Sequence, residues 1–125
     1  MRTILFRGKN QDGEWVCGHL TQFHYPDNIK PPLCWIWSQS KDLETVKKQQ
    51  VDHNTLGQFT GLFDKRGVRI FEGDKLLIEW VGKDVTEQRG AVFWNTERHK
   101  WDCDTATFPS KNWRRTKVIG NIYSK

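Results

Sequence analysis

Three acids close together in the chain, Asp64, Glu72 and Asp74, are the side chains whose type and spacing best suit chemistry. Neighbouring carboxylates can divide the work of general acid and general base, or share a divalent cation through their oxygens. No histidine or nucleophile stands beside them, and each belongs to a glycine-bearing segment, Asp64-Lys-Arg-Gly67 or Glu72-Gly73-Asp74. An aspartate ahead of a reversal accepts backbone N–H bonds, so turn formation accounts for these acids with fewer assumptions than catalysis. No catalytic residue is assigned, and loss of the Asp74 carboxylate is expected to harm folding first.

Two thiol–imidazole pairs, Cys17-x-His19 and His99-x3-Cys103, carry donors that structural zinc uses. Their spacing is not that of a ribbon or knuckle, and Cys17 equally suits a small buried apolar position. Neither a metal nor a cofactor is expected. A cysteine nucleophile with His19, His24, His53 or His99 as base has no local motif behind it. Gly57, Gly61, Gly67 and Gly73 punctuate strands and do not precede a helix, so no phosphate-cradling loop is indicated. Together these absences point away from an enzyme.

Charge is distributed unevenly. The chain has 20 Lys and Arg against 15 Asp and Glu, and the whole excess follows Asp104, in Lys111, Arg114, Arg115, Lys117 and Lys125. In Lys111-Asn-Trp113-Arg114-Arg115-Thr-Lys117 an indole stands among cations, a combination that pairs with phosphates while the ring stacks on a base. Arg98, Lys100 and Trp101 in the preceding hairpin would extend such a site. The competing reading is a solvated basic edge that discourages strand-to-strand pairing. The seven tryptophans also include Trp35, Trp37 and Trp94. They are many for a small domain to bury, so two readings stand side by side: some form an aromatic contact patch on the surface, or all pack inside and at the sheet ends.

The elements that must carry these residues are short strands. The 125-residue length suits a single domain with an aromatic-rich core. A hairpin is expected over residues 4–20, around Asn10-Gln-Asp-Gly13, with Val16, Gly18 and Leu20 on one face and Trp15, Cys17 and His19 on the other. Residues 24–50 form a variable middle interrupted by Pro26, Pro31 and Pro32, with an apolar strand over 33–37. Residues 41–50 read as a strand or a short helix, with the strand preferred. Over residues 52–125 a turn at 52–54 leads to strands over 58–62, 68–71, 75–81, 90–94, 99–103 and 118–123, and the polar residues 82–89 read as a surface loop. Many short strands with turn signals favour a small curved sheet or barrel of SH3-like character over a sandwich.

Thr60-Gly61-Leu62, Asp64-x-x-Gly67 and Glu72-Gly73-Asp74 occur in succession, and Val-Ile-Gly120-Asn121-Ile closes the chain. This combination, with the Ile-Leu-Phe-Arg-Gly and Asp-Gly-Glu-Trp hairpin near the start, resembles the YopX family of small bacteriophage and prophage proteins. The resemblance implies a mainly β fold. It carries no catalytic or ligand-binding residue, because that family has no established activity. Thr60, Gly61, Asp64, Gly67, Glu72, Gly73, Asp74, Gly120 and Asn121 stand as its structural signature.

No apolar run approaches the roughly 20 residues needed to cross a bilayer as a helix, so no membrane partner is expected. Three widely spaced cysteines with no charged-then-apolar leader after Met1 point to a reducing cytoplasm, that of a bacterial host. The expectation is a non-enzymatic binding or accessory protein acting through a β-sheet surface on a host or phage protein, with homo-oligomers among the arrangements that would serve it. Nucleic acid held by the C-terminal basic segment is the alternative, and an enzyme using the turn carboxylates is the third.

Overall fold

The computed structural model describes residues 4–27, 29–39, 45–80, 86–104 and 113–123, without the side chains of Glu79, Trp80, Thr86 and Glu87. These residues are nearly all strand, every pairing is antiparallel, and two single 3-10 turns, His53–Thr55 and Trp113–Arg115, are the only helical elements among them. Contacts divide the chain into two compact units, residues 1–58 and 59–125.

In the first unit the hydrogen-bonding order is β4-β3-β2-β1-β5, formed by β1 (Phe6–Lys9), β2 (Trp15–Phe23), β3 (Leu33–Gln39), β4 (Val46–Val51) and the start of β5 (Gly57–Phe63). The β1–β2 turn forms as the sequence dictates. Asn10 Oδ1 accepts the N–H groups of Asp12 and Glu14, and Gly13 takes the left-handed backbone (φ 76°) that an L side chain resists. Alternation along the strands then sorts the side chains. Val16, Cys34, Ile36 and Val51 turn inward and pack with Phe6, Leu20 and Leu56.

The sheet curls over that core. The Asp52 N–H donates to the Lys9 carbonyl at 2.8 Å, the Lys9 N–H donates to Thr55 Oγ1 at 2.8 Å, and Gly8 lies so close to Val51 that an added Cβ would be 2.9 Å from its Cβ. The end of β4 is thereby drawn across to the end of β1. Of the two forms considered for residues 41–50, the strand is found from Val46 onward, while 40–44 lie outside the described residues.

In the second unit β5 pairs with β6 (Arg69–Phe71), and a four-stranded sheet runs β10-β7-β8-β9, comprising β7 (Asp74–Trp80), β8 (Thr86–Asn95), β9 (Lys100–Cys103) and β10 (Thr116–Asn121). Its core is Ile70, Leu76, Ile78, Val92, Cys103 and Trp113, with Leu62, Trp101 and Val118 packed against it. The mainly β expectation holds, in the form of open, curled sheets; no pairing among the described residues closes a barrel.

Two local expectations are corrected. Residues 86–89, read as loop, belong to β8, with Gln88 opposite Ile78 and Arg89 opposite Leu77. Their polar composition hid a strand because β7 needs partners for its backbone groups whatever side chains those partners carry. The strand expected over residues 58–62 does not stop at Leu62 either. The strand continues to Phe63 through a register shift, with Gly61 left-handed at φ 83°.

Candidate functional site

The signature acids act on backbone. Asp64, whose side chain is wholly buried, accepts the N–H groups of Arg66 (2.8 Å) and Val68 (2.9 Å) on Oδ1 and that of Val118 (3.0 Å) on Oδ2. Burial alone would raise its pKa. The donors from Val118, Val68 and Arg66, with the Arg66 charge, outweigh burial and hold the carboxyl below its usual 3.8. Arg66 Nη2 also donates to the Val118 carbonyl at 2.7 Å and the Lys65 N–H to that of Thr116 at 2.9 Å, which sews the turn onto β10.

Asp74, 1% exposed, accepts the Phe71 N–H at 2.8 Å, and the partly buried Glu72 precedes Gly73 at φ 88°. The Gly73 N–H reaches Val92 and its carbonyl accepts Ile122, both at 2.9 Å. Thr60 Oγ1 donates to the Ile70 carbonyl and Asn121 Oδ1 accepts the Tyr123 N–H, while the β10 register shifts between Val118 and Gly120. Gly67, at φ 78°, closes the Asp64 turn. A cavity of about 310 Å³ opens beside Phe63, Asp64, Trp113 and Arg114, but both Asp64 oxygens there already accept backbone hydrogens.

The thiols and imidazoles do not assemble a site. Cys17 and His19 are exposed on the outward face of β2, and exposed His99 occupies a turn at φ 52°. Burial, then the charges of Asp102 and Asp104, push the Cys103 thiol up to about 11. It is protonated near neutrality and poorly suited to nucleophilic or ligand duty. Among the described residues no three His, Cys, Asp or Glu side chains gather as a metal would require.

The basic–aromatic set read from the sequence is dispersed. Trp113 is 9% exposed in the core of its unit, and Trp101 packs against that core, its ring 5.1 Å edge-on from Trp94. Trp113 therefore offers no free face to a base, and Trp101 is half-buried. Arg114 and Arg115 are exposed in the 3-10 turn and Arg98 in the β8–β9 turn. By strand alternation Lys100 and Lys117 share the outward face of the four-stranded sheet. Lys111 lies outside the described residues.

A stronger basic–aromatic surface stands in the first unit, where the sequence reading offered Trp35 and Trp37 to a contact patch but assigned no cations. On the face of β1–β4 opposite the core, the register sets His19 beside Trp37 and Lys48, Thr21 beside Trp35 and Gln50, Cys17 beside Arg7, and Trp15 beside Lys9. Cations cover the rings. The Arg7 guanidinium is 4.5 Å and Lys9 Nζ 5.3 Å from the Trp15 ring, and Lys48 Nζ is 4.9 Å from Trp35 and 5.1 Å from Trp37. Trp37, 39% exposed, is oriented by its Nε1–H bond to Thr21 Oγ1 at 2.9 Å. Beyond Thr21 the row continues into half-exposed Phe23, edge-on to Tyr25, whose ring carries Lys30 at 5.2 Å. No described strand residue on this face is acidic. The signal available in the sequence was alternation itself, which sets Trp35 and Trp37 on one side of β3 and Lys48 on the same side of β4.

These features define a small antiparallel β protein with carboxylate-stapled turns and an aromatic, cationic sheet face. The chain belongs to the YopX family, whose sequence profile, described as YopX protein, matches residues 5–125. No curated protein matches the sequence. Its fold is similar to that in the crystal structure of a protein from Enterococcus faecalis, with a TM-score of 0.56 at 22% identity, over 98% of this chain and 94% of that one.

Proposed function

We propose that this YopX protein is a non-enzymatic binding module whose working surface is the outward face of β1–β4, and that its partner is nucleic acid. One observation carries the reading: three tryptophans and three cations share a sheet face on which no described strand residue is acidic. Phosphates supply the countercharge and nucleobases the flat apolar partner that such a surface fits. The absence of enzymatic chemistry is supported by the way the Asp64 and Asp74 carboxylates are taken up by backbone donors. Family membership and three unbridged cysteines support the expected setting, a phage or prophage product in the reducing cytoplasm of a bacterial host. No helix among the described residues is long and apolar enough to cross a membrane.

A second nucleic-acid reading uses Arg98, Arg114 and Arg115, which are exposed. With Trp113 turned inward, that cluster contributes charge and no stacking ring.

Fluorescence anisotropy with labelled single- and double-stranded oligonucleotides, at roughly 50 and 200 mM salt, tests the proposal. Binding should weaken at the higher salt and be lost in the Lys9→Glu, Lys48→Glu double variant. An absence of binding to either oligonucleotide at the lower salt refutes it.

A further inference from the structure

We infer that the outward face of β1–β4 binds an unpaired strand, with bases stacking singly on Trp35, Trp37 and Trp15 while Lys48, Arg7 and Lys9 turn to the phosphates. This deepens the nucleic-acid reading of the same face and rests on it.

Spacing is the first reason. Trp35 and Trp37 lie two residues apart on one side of β3, about 6.6 Å along the strand. Stacked bases in a duplex strand repeat every ~3.4 Å, so two neighbouring bases seated on these two indoles cannot also remain stacked on each other. The nucleic acid must be opened to use both rings.

Width is the second. The axes of four adjacent strands span about 14 Å before side chains are added, whereas a major groove about 12 Å wide admits a two-stranded ribbon. A duplex could meet this face only through its phosphates. The rings would then stay idle.

The third reason is preorganisation joined to mobile charge. Trp37 is held by Thr21, and its strand is seated against β2 by Gly18, where any Cβ would collide with the Trp37 carbonyl. The cations over the rings end flexible stems, so an ammonium can leave an indole for a phosphate as a base takes its place. A base stacked on an indole contributes more than the exposed cation–ring contact it replaces. From the Trp15 row to the row of Trp35, six residues along β2, the track runs about 20 Å, room for three or four splayed nucleotides.

The test titrates the full chain with a short oligothymidylate and with a hairpin duplex of equal phosphate number, reading anisotropy and tryptophan fluorescence. Oligothymidylate should bind at least about tenfold more tightly and quench the fluorescence. Trp35→Ala with Trp37→Ala should weaken that binding by about ten- to a hundredfold and leave duplex binding unchanged. Trp35→Phe with Trp37→Phe should retain most of it, which separates loss of a ring from loss of fold. Equal affinity for both nucleic acids without quenching overturns the stacking inference and leaves the face as a simple polyanion surface. Binding of neither overturns both readings. Binding abolished by Arg114→Ala with Arg115→Ala, yet indifferent to Lys9→Glu with Lys48→Glu, moves the site to the C-terminal cluster and also overturns the inference.

Discussion

Asp64 turns one buried charge into the tie between a hairpin turn and the last strand. Removing a carboxylate from water costs several kcal/mol, and charge-assisted bonds from three backbone N–H groups offset it. Asp64→Asn keeps the shape but turns an amide N–H₂ towards a backbone donor. A loss of about 2–4 kcal/mol in urea unfolding is therefore expected. Because the folded pKa lies below 3.8, this contribution is complete above that value and disappears as the pH falls through the lower folded one. Wild-type unfolding midpoints should thus drop on acidification below pH 3.8, and the variant should lack that component of the drop. The sequence showed Asp64 as a turn acid. It could not show that the Oδ2 donor would be Val118, 54 residues away, because nothing local selects that partner. Trp113 was misleading for a related reason: its neighbours Arg114 and Arg115 stay in solvent while the ring fills the core.

Among elements, the β2–β3 ladder positions the proposed surface, and Gly18 is its tightest point. Gly18→Ala would drive a methyl group into the Trp37 carbonyl. A melt should show a loss of about 1–3 kcal/mol, typical of overpacking, together with weaker oligothymidylate binding as Trp37 shifts. Cys17 tests the same ladder differently. It is exposed beside Arg7 on the proposed face, whereas Cys34 and Cys103 are buried and the Cys103 thiol is raised to about 11. A maleimide at neutral pH should label Cys17 first in the native protein, and the labelled protein should bind oligothymidylate poorly. Mass spectrometry of the labelled peptide and a repeat titration check both outcomes. Strand positions were largely readable because glycines and asparagines mark the turns. The beginning of β8 was not, since Gln88 and Arg89 carry no apolar signal and are held in place by pairing with β7.

For the whole molecule, net charge and placed charge tell different stories. Residues 1–58 contain seven Lys and Arg against six Asp and Glu, a near balance that makes this half look electrostatically unremarked in the sequence. Folding separates the signs. Asp12, Glu14, Asp27 and Asp52 fall in connections, while Arg7, Lys9 and Lys48 line up on the sheet face. The C-terminal excess of five was conspicuous because it is contiguous; the face was hidden because its cations come from separate strands. Two variants of equal charge distinguish these cases. Lys9→Glu with Lys48→Glu and Arg114→Glu with Arg115→Glu both lower the net charge by the same amount. If three placed cations pair with phosphates, the logarithm of affinity should fall with that of salt at a slope of about −2, so fourfold more salt weakens binding about twentyfold. The first variant should flatten that slope and the second should preserve it, because the slope counts only the cations that pair with phosphates. Equal flattening in both would mean that the overall charge of the chain, and not the pattern on its sheet, draws the strand in.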